Sequence, residues 1–281
     1  MKVLITGASG QLGKDLTNLL SSKKNIEVFP LMKENLDITD QDLVKKTLKN
    51  IVPHIILHCA AYTNVDGCES DSDLAYSVNA YGTRNIAVEA ERYKAKMVYI
   101  STDYVFDGKS AEPYDEFSAV NPLSVYGASK LAGEDLVKHF CNRFFIIRTS
   151  WLFGWHGKNF VKTILQLAGE RDEISVVDDQ TGCPTFSSDL AKLISSIMHT
   201  EAYGIYHAAN SGQCTWFEFA QQILKTYNIE NVMVKPITTE ELNRLAPRPS
   251  YSVLGNRALR LNDFSVLPEW QDSLQRFKEG F

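Results

Sequence analysis

The first thirteen residues constrain the fold more than any other stretch. Lys2–Thr6 is an apolar run of β type that breaks into Gly7-Ala8-Ser9-Gly10-Gln11-Leu12-Gly13. Leu12, Leu16, Leu19 and Leu20 then recur at helical spacing. Strand, glycine turn and helix, in that order, form the setting in which glycine spacing acquires meaning. Gly7 suits the tight turn, Gly10 lets a pyrophosphate reach backbone amides, and Gly13 lets the helix lie close on the strand. The unpaired N–H groups and positive dipole end of that helix would face phosphates. The alternative is an ordinary βα turn with no ligand.

The alternation continues. A second strand is expected over 26–29, followed by Pro30-Leu31-Met32-Lys33. A dinucleotide with free ribose hydroxyls usually meets an acid at the end of this strand. Here that place holds Pro30, and the Lys33 cation follows closely, a combination that favours a 2′-phosphate and hence NADP over NAD. Lys33 could equally be a solvated loop lysine. Asp37 and Ile38 lie where an adenine edge could be held, and a helix is expected over 41–49. Residues 53–61 read as a buried parallel strand ending in the small residues Ala60 and Ala61, with Tyr62-Thr63-Asn64-Val65-Asp66 as the loop beyond it. His54 and His58 read as structural. A helix over 74–93, a strand over 97–100 closed by Ser101-Thr102-Asp103, and a strand over 144–148 complete the pattern. This is an α/β, doubly wound parallel sheet of Rossmann type over 1–150. Ligands in such sheets sit at the carboxyl ends of strands, where Ser101, Thr102 and Asp103 fall. Over 151–281 the alternation loosens into a smaller C-terminal α/β lobe suited to holding substrate, with some of its segments expected to return to the first domain.

One later stretch carries candidate chemistry. Tyr126 and Lys130 stand four positions apart at the start of a helical pattern, so both project from one face. A free phenol has a pKa of about 10. An ammonium about 4 Å from the developing phenolate contributes roughly 4 kcal/mol at an effective dielectric of ~20. That is about three pKa units and would bring the phenol near ~7, suited to general acid–base work. The plain alternative is two exposed residues on a helix. The Thr102 hydroxyl could hold a carbonyl against Tyr126, or could merely cap a turn. Trp151 could wall a sugar pocket or sit in the core. Arg248, in Pro247-Arg248-Pro249, could meet a diphosphate from a rigid turn.

Composition excludes several classes. A formal charge of −5 with no basic tract argues against a nucleic-acid binder. No segment approaches the length of a membrane span, and the first residues are too short an apolar run for a signal peptide. Five cysteines, scattered and without a C-x-x-C, read as reduced thiols of a cytoplasmic protein. Six histidines are dispersed without ligand spacing, so no metal site is expected.

Taken together, Gly7-x-x-Gly10-x-x-Gly13 and Tyr126-x-x-x-Lys130 resemble the extended short-chain dehydrogenase/reductase family. Gly10-Gln11-Leu12-Gly13, Ala60 to Asp66, Ser101 to Gly108, Arg148-Thr149-Ser150-Trp151, Asp179-Gln180-x-Gly182-x-Pro184-Thr185 and Arg248-Pro249 are similar to its branch acting on dTDP-4-dehydro-6-deoxy-L-mannose. The resemblance implies an NADPH-dependent reductase of the sugar C4 ketone, with NAD use also open. In it Tyr126 is the proton donor, and Lys130 lowers its pKa and holds the nicotinamide ribose. Thr102 orients the ketone, and Asp103, Val65 and Trp151 line the same pocket. Gly7, Gly10, Gln11, Leu12, Asp37, Ile38, Ala60, Ala61, Tyr62 and Thr63 hold the dinucleotide. It also implies a monomer or homodimer, with magnesium between subunits in some relatives and no ligands for it assignable here. Two rivals share the fold. One is a nucleotide-sugar epimerase or dehydratase. The other is a non-catalytic NADP-binding subunit like the regulatory subunit of methionine adenosyltransferase, against which the Thr102, Tyr126 and Lys130 set speaks.

Overall fold

The computed structural model describes residues 1–280. Five strands from the first half of the chain lie in one parallel sheet: β1 (Lys2–Thr6), β2 (Glu27–Leu31), β3 (Ile55–His58), β4 (Lys96–Thr102) and β5 (Phe144–Thr149). A sixth, Gly204–His207, comes from the second half and pairs with β5. From that edge the order is Gly204–His207, β5, β4, β3, β1, β2. The chain therefore reverses its direction of winding between β1 and β3, the switch point at which a crevice opens in such sheets.

The helices wound around it are α1 (Gln11–Ser21), α2 (Gln41–Ile51), the short α3 (Val65–Ser70) and α4 (Ser72–Tyr76), α5 (Thr83–Arg92) and α6 (Val125–Phe140). Strand side chains alternate between two apolar faces. Leu4, Ile56, Met97, Tyr99 and Ile146 pack against α2, α5 and α6. Val3, Ile5, Leu57, Val98, Phe145 and Ile147 pack against α1 and the helix Ser187–Ile197. Burial on both faces accounts for the nearly continuous apolar runs of these strands. Pro30 lies inside β2 rather than after it, opposite Ile5, which an edge strand tolerates.

One expected helix is interrupted. Residues 74–93 form the end of α4, a π-helical turn Ser77–Gly82, and α5. Asn79, fully buried in that turn, holds the loop after β3: its amide donates to the Tyr62 carbonyl at 3.0 Å and accepts from the Tyr62 N–H at 2.8 Å. A wide turn of this kind is common where a helix has been re-aimed toward a functional loop.

Residues beyond 150 do two things. They build a second core around Phe153, Phe186, Phe219 and Phe277, with a parallel strand pair Glu173–Val177 and Met233–Ile237. They also complete the first core with the helix Ser187–Ile197 and the sixth strand. Among the described residues no helix is long and apolar enough to cross a membrane. All five cysteines are free thiols.

Candidate active site

A cavity of about 820 Å³ runs along the carboxyl ends of the strands at the switch point. Gly7, Gly10, Gln11 and Leu12 wall it after β1, Lys33, Asp37 and Ile38 after β2, and Ala60, Ala61, Tyr62 and Thr63 after β3. Gly7 has φ +64°, and a Cβ there would stand 2.7 Å from the Ala60 nitrogen. A Cβ at Gly13 would run into the Gly7 carbonyl oxygen. The first turn of α1 has neither a side-chain cap nor an acidic residue, so its amides face the cavity unscreened. Asp37 is held by Thr39, whose hydroxyl donates to it at 2.7 Å and lowers its pKa.

His58 fixes this loop by a chain of bonds whose direction can be worked out. The Ala60 N–H donates to Thr6 Oγ1 at 3.3 Å, and that hydroxyl donates to His58 Nδ1 at 2.7 Å. Nε2 therefore carries the proton and donates to Thr83 Oγ1 at 3.1 Å, whose own hydrogen goes to the Asn79 carbonyl at 2.7 Å. Burial pushes the His58 pKa down to about 3, so the ring stays neutral.

The far end of the cavity holds Val65, Thr102, Asp103, Tyr126, Lys130 and Trp151. Ser124 caps α6, accepting from the Gly127 N–H at 3.1 Å, which puts Tyr126 in the first turn. Gly127 lets that turn close on the Tyr104 carbonyl, and the Tyr104 and Tyr126 rings meet edge-on at 5.5 Å. Thr102 caps the turn and also lies on the cavity wall. Its Oγ1 accepts from the Tyr104 N–H at 3.2 Å as a turn cap, and the same side chain lines the cavity. It also donates to Asp103 at 3.0 Å. Burial drives the Asp103 carboxyl up to about 6, against hydrogen bonds from Ser252 and Thr102.

The expected acidification of Tyr126 by Lys130 needs correcting. Burial raises the phenol well above its ordinary value; a hydrogen bond with Thr102 eases this, and the Asp103 and Tyr104 charges add to it. The Lys130 ammonium is turned to the Ile100 carbonyl at 2.7 Å and lies 4.1 Å from the centre of the Tyr99 ring. Its own pKa falls to about 7, chiefly through burial. Shared placement on one helix face did not decide where the lysine head points.

Behind α6 lies a network that sequence reading passed over. Glu134, one turn beyond Lys130, is fully buried and takes two bonds from Arg148 of β5, at 2.9 and 2.7 Å, and one from the Ser101 hydroxyl at 2.6 Å. Arg148 extends to His207 of the sixth strand at 3.4 Å. Arg148 stands within a motif singled out above, but nothing local pairs residues on a helix and a later strand.

Trp151 lines the cavity while stacked on Trp216 at 3.6 Å between centroids and 8° between planes. Its φ of +45° is unusual for a side chain this large. Arg248 is one step removed from the other candidates: it hydrogen-bonds the side chain of Tyr104, which does line the cavity. Arg248 itself is outside the cavity wall, bound to both Asp66 oxygens at 3.2 and 3.1 Å and to the Ala246 carbonyl at 2.9 Å. Among the described residues no cluster of three or more His, Cys, Asp or Glu could hold a metal.

A parallel sheet with a glycine turn at its switch point, and a tyrosine–lysine helix at the same crevice, defines the extended short-chain dehydrogenase/reductase class of nicotinamide-dependent proteins. The chain belongs more narrowly to the family described as the RmlD substrate binding domain, whose model matches residues 1–281. It is similar to a dTDP-4-dehydrorhamnose reductase from Bacillus anthracis str. Ames solved in complex with NADP, with 50% identity, a TM-score of 0.97, and 100% and 99% of the two chains covered. It is 42% identical over 277 residues to the spore coat polysaccharide biosynthesis protein SpsK of Bacillus subtilis (strain 168), covering 98% of this chain and 96% of that protein. It is 40% identical over 289 residues to the dTDP-4-dehydrorhamnose reductase of Aggregatibacter actinomycetemcomitans, covering 99% and 98%.

Proposed function

We propose that this protein reduces the C4 ketone of dTDP-4-dehydrorhamnose, giving dTDP-L-rhamnose, with NADPH as the reductant. The observation that carries the reading is the meeting of Thr102, Tyr126 and Lys130 on one wall of the dinucleotide crevice. The likeness to reductases of that sugar supports the substrate, and the NADP-bound relative supports the cofactor. The tight strand–turn–helix packing, where a Cβ at Gly7 or Gly13 would run into the backbone of Ala60 or of Gly7, presents the α1 amides in a way that suits a pyrophosphate. After β2, Lys33 lines the cavity and Asp37, the acid that shares the wall with it, is tied to Thr39, which suits a 2′-phosphate.

When bound, the nicotinamide supplies the hydride. The chain supplies position and a proton. Thr102 Oγ1, its proton turned from Asp103 to the incoming substrate, orients the ketone oxygen toward Tyr126. The raised pKa of the phenol keeps its proton in place at working pH, so Tyr126 is a loaded donor to the nascent alkoxide. Lys130, anchored at the Ile100 carbonyl, holds the ribose side of the site.

The test is to incubate the protein with dTDP-4-dehydrorhamnose and either NADPH or NADH, following absorbance of the reduced nicotinamide. Consumption that depends on added NADPH and yields the 4-hydroxy sugar is expected. A protein that purifies with NAD already bound, and interconverts sugars without net consumption, would instead be an epimerase or dehydratase.

A further inference from the structure

We propose that Lys158 is a ligand for the pyrophosphate of the dinucleotide, carried on a loop strapped to the glycine turn by Gln11. The proposal rests on the dinucleotide reading above and adds a residue to it. After the short strand Leu152–Phe153 the chain passes back over the first turn of α1, and three contacts pin it there. The Gln11 amide donates to the Leu152 carbonyl at 3.3 Å and accepts from Asn159 Nδ2 at 3.0 Å. His156 Nε2 stands 3.6 Å from Asp15 on the same helix. Between these anchors Gly157 turns in the left-handed region, φ +69°, where a Cβ would crowd Gln11 Cγ at 3.3 Å. That turn brings Lys158 onto the wall that also contains Gly10, Gln11 and Leu12.

The charge balance of the crevice points the same way. A pyrophosphate brings two negative charges to amides that supply only partial positive charge. Three lysines line the cavity. Lys130 is buried at the far end on the Ile100 carbonyl, and Lys33 lies beyond β2 at the adenosine end. Lys158 is exposed and makes no hydrogen bond or ion pair among the described residues. Its neighbour Lys162 donates to the Trp155 carbonyl at 2.6 Å and is not on the cavity wall. A cation left unspent, on a loop that Asn159 and His156 hold against the first turns of α1, is placed to meet the phosphates.

Equilibrium titration of NADP⁺ and of NAD⁺ by tryptophan fluorescence, on wild type, Lys158→Gln, Lys158→Arg and Lys33→Gln at low and high salt, tests this. Lys158→Gln should weaken both cofactors by a similar factor, roughly tenfold for a partly solvated charge-assisted bond, and flatten the salt dependence. Lys158→Arg should restore most of the affinity, which a purely structural role of the loop would not require. Lys33→Gln should weaken NADP⁺ alone. Wild-type affinity of Lys158→Gln for both cofactors overturns the proposal. So does a loss confined to NADP⁺, which would put the lysine at the 2′-phosphate. Wild type that binds neither cofactor overturns the dinucleotide reading itself, and the proposal falls with it.

Discussion

Glu134 and Arg148 meet in a two-bond ion pair, at 2.9 and 2.7 Å, with the carboxylate sealed from solvent and the guanidinium nearly so. The pair ties the helix bearing Tyr126 and Lys130 to strand β5, and Ser101 adds a third bond from β4 at 2.6 Å. Removing one partner of such a pair leaves a charge buried without compensation, which costs about 3–5 kcal/mol. Glu134→Ala should therefore lower the unfolding free energy by that order in urea titration. Combining Glu134→Leu with Arg148→Met, which buries no charge, should recover part of the loss. A double variant less stable than Glu134→Ala would show that the ion pair is not the source of the effect.

Tyr126→Phe should leave the crevice intact, since the ring keeps its edge-on contact with Tyr104 and only the hydroxyl goes. Without the proton donor, turnover should fall by roughly 10²- to 10⁴-fold, the usual contribution of a placed general acid. Stopped-flow reduction of the ketone, beside NADP⁺ titration of the same variant, separates the two effects. Near-wild-type turnover would remove Tyr126 from the mechanism.

Asp103 gives a stability signature with a definite sign. Its carboxyl titrates at about 6 in the folded protein against an ordinary 3.8, so between those values the folded state holds more protons than the unfolded one. The favourable contribution is full below about 4 and is lost as pH rises through about 6. Over that window the wild type should lose about 3 kcal/mol relative to Asp103→Asn, at about 1.4 kcal/mol per pKa unit. Lys130 acts in the opposite direction and elsewhere: with its pKa depressed to about 7, the cost of burying its charge is relieved only as pH rises from about 7 toward 10.5. Urea midpoints of both proteins from pH 4 to 7 check this. Parallel curves would mean that Asp103 is ionised throughout.

Local features of the site were legible from residue order because their determinants are local. The glycine turn needs only a strand before it and a helix after it, and the Tyr126–Lys130 spacing needs only α6. Features set by tertiary packing were not. The π-helical turn Ser77–Gly82 exists where Asn79 clamps Tyr62, a pairing across seventeen positions, and propensity alone reads one long helix there. The partner of Arg248 is Asp66, 182 residues away. No sequence signal pairs a cationic side chain beside prolines with that acid. The acidity of Tyr126 was misjudged for a related reason: spacing puts Lys130 on the right face, but the Ile100 carbonyl decides where its ammonium rests.

Gly182→Ala tests the proposed sugar end of the site without replacing a cavity side chain. A Cβ at Gly182 would stand 2.5–2.7 Å from the Trp151 indole, too close for either to stay in place. The indole cannot retreat, because its other face is stacked on Trp216 at 3.6 Å and Phe160 backs Trp216 at 4.5 Å. The ring must therefore tilt toward the cavity or the Asp179-to-Thr185 loop must shift. Either change alters the wall beside Thr102 and Tyr126 while leaving the glycine turn alone. The sugar KM should rise by about tenfold or more, the cofactor dissociation constant should not move, and the near-ultraviolet circular dichroism of the stacked tryptophans should change. A rise in the cofactor constant with the sugar KM unchanged would put Trp151 on the nicotinamide side of the crevice rather than at the sugar.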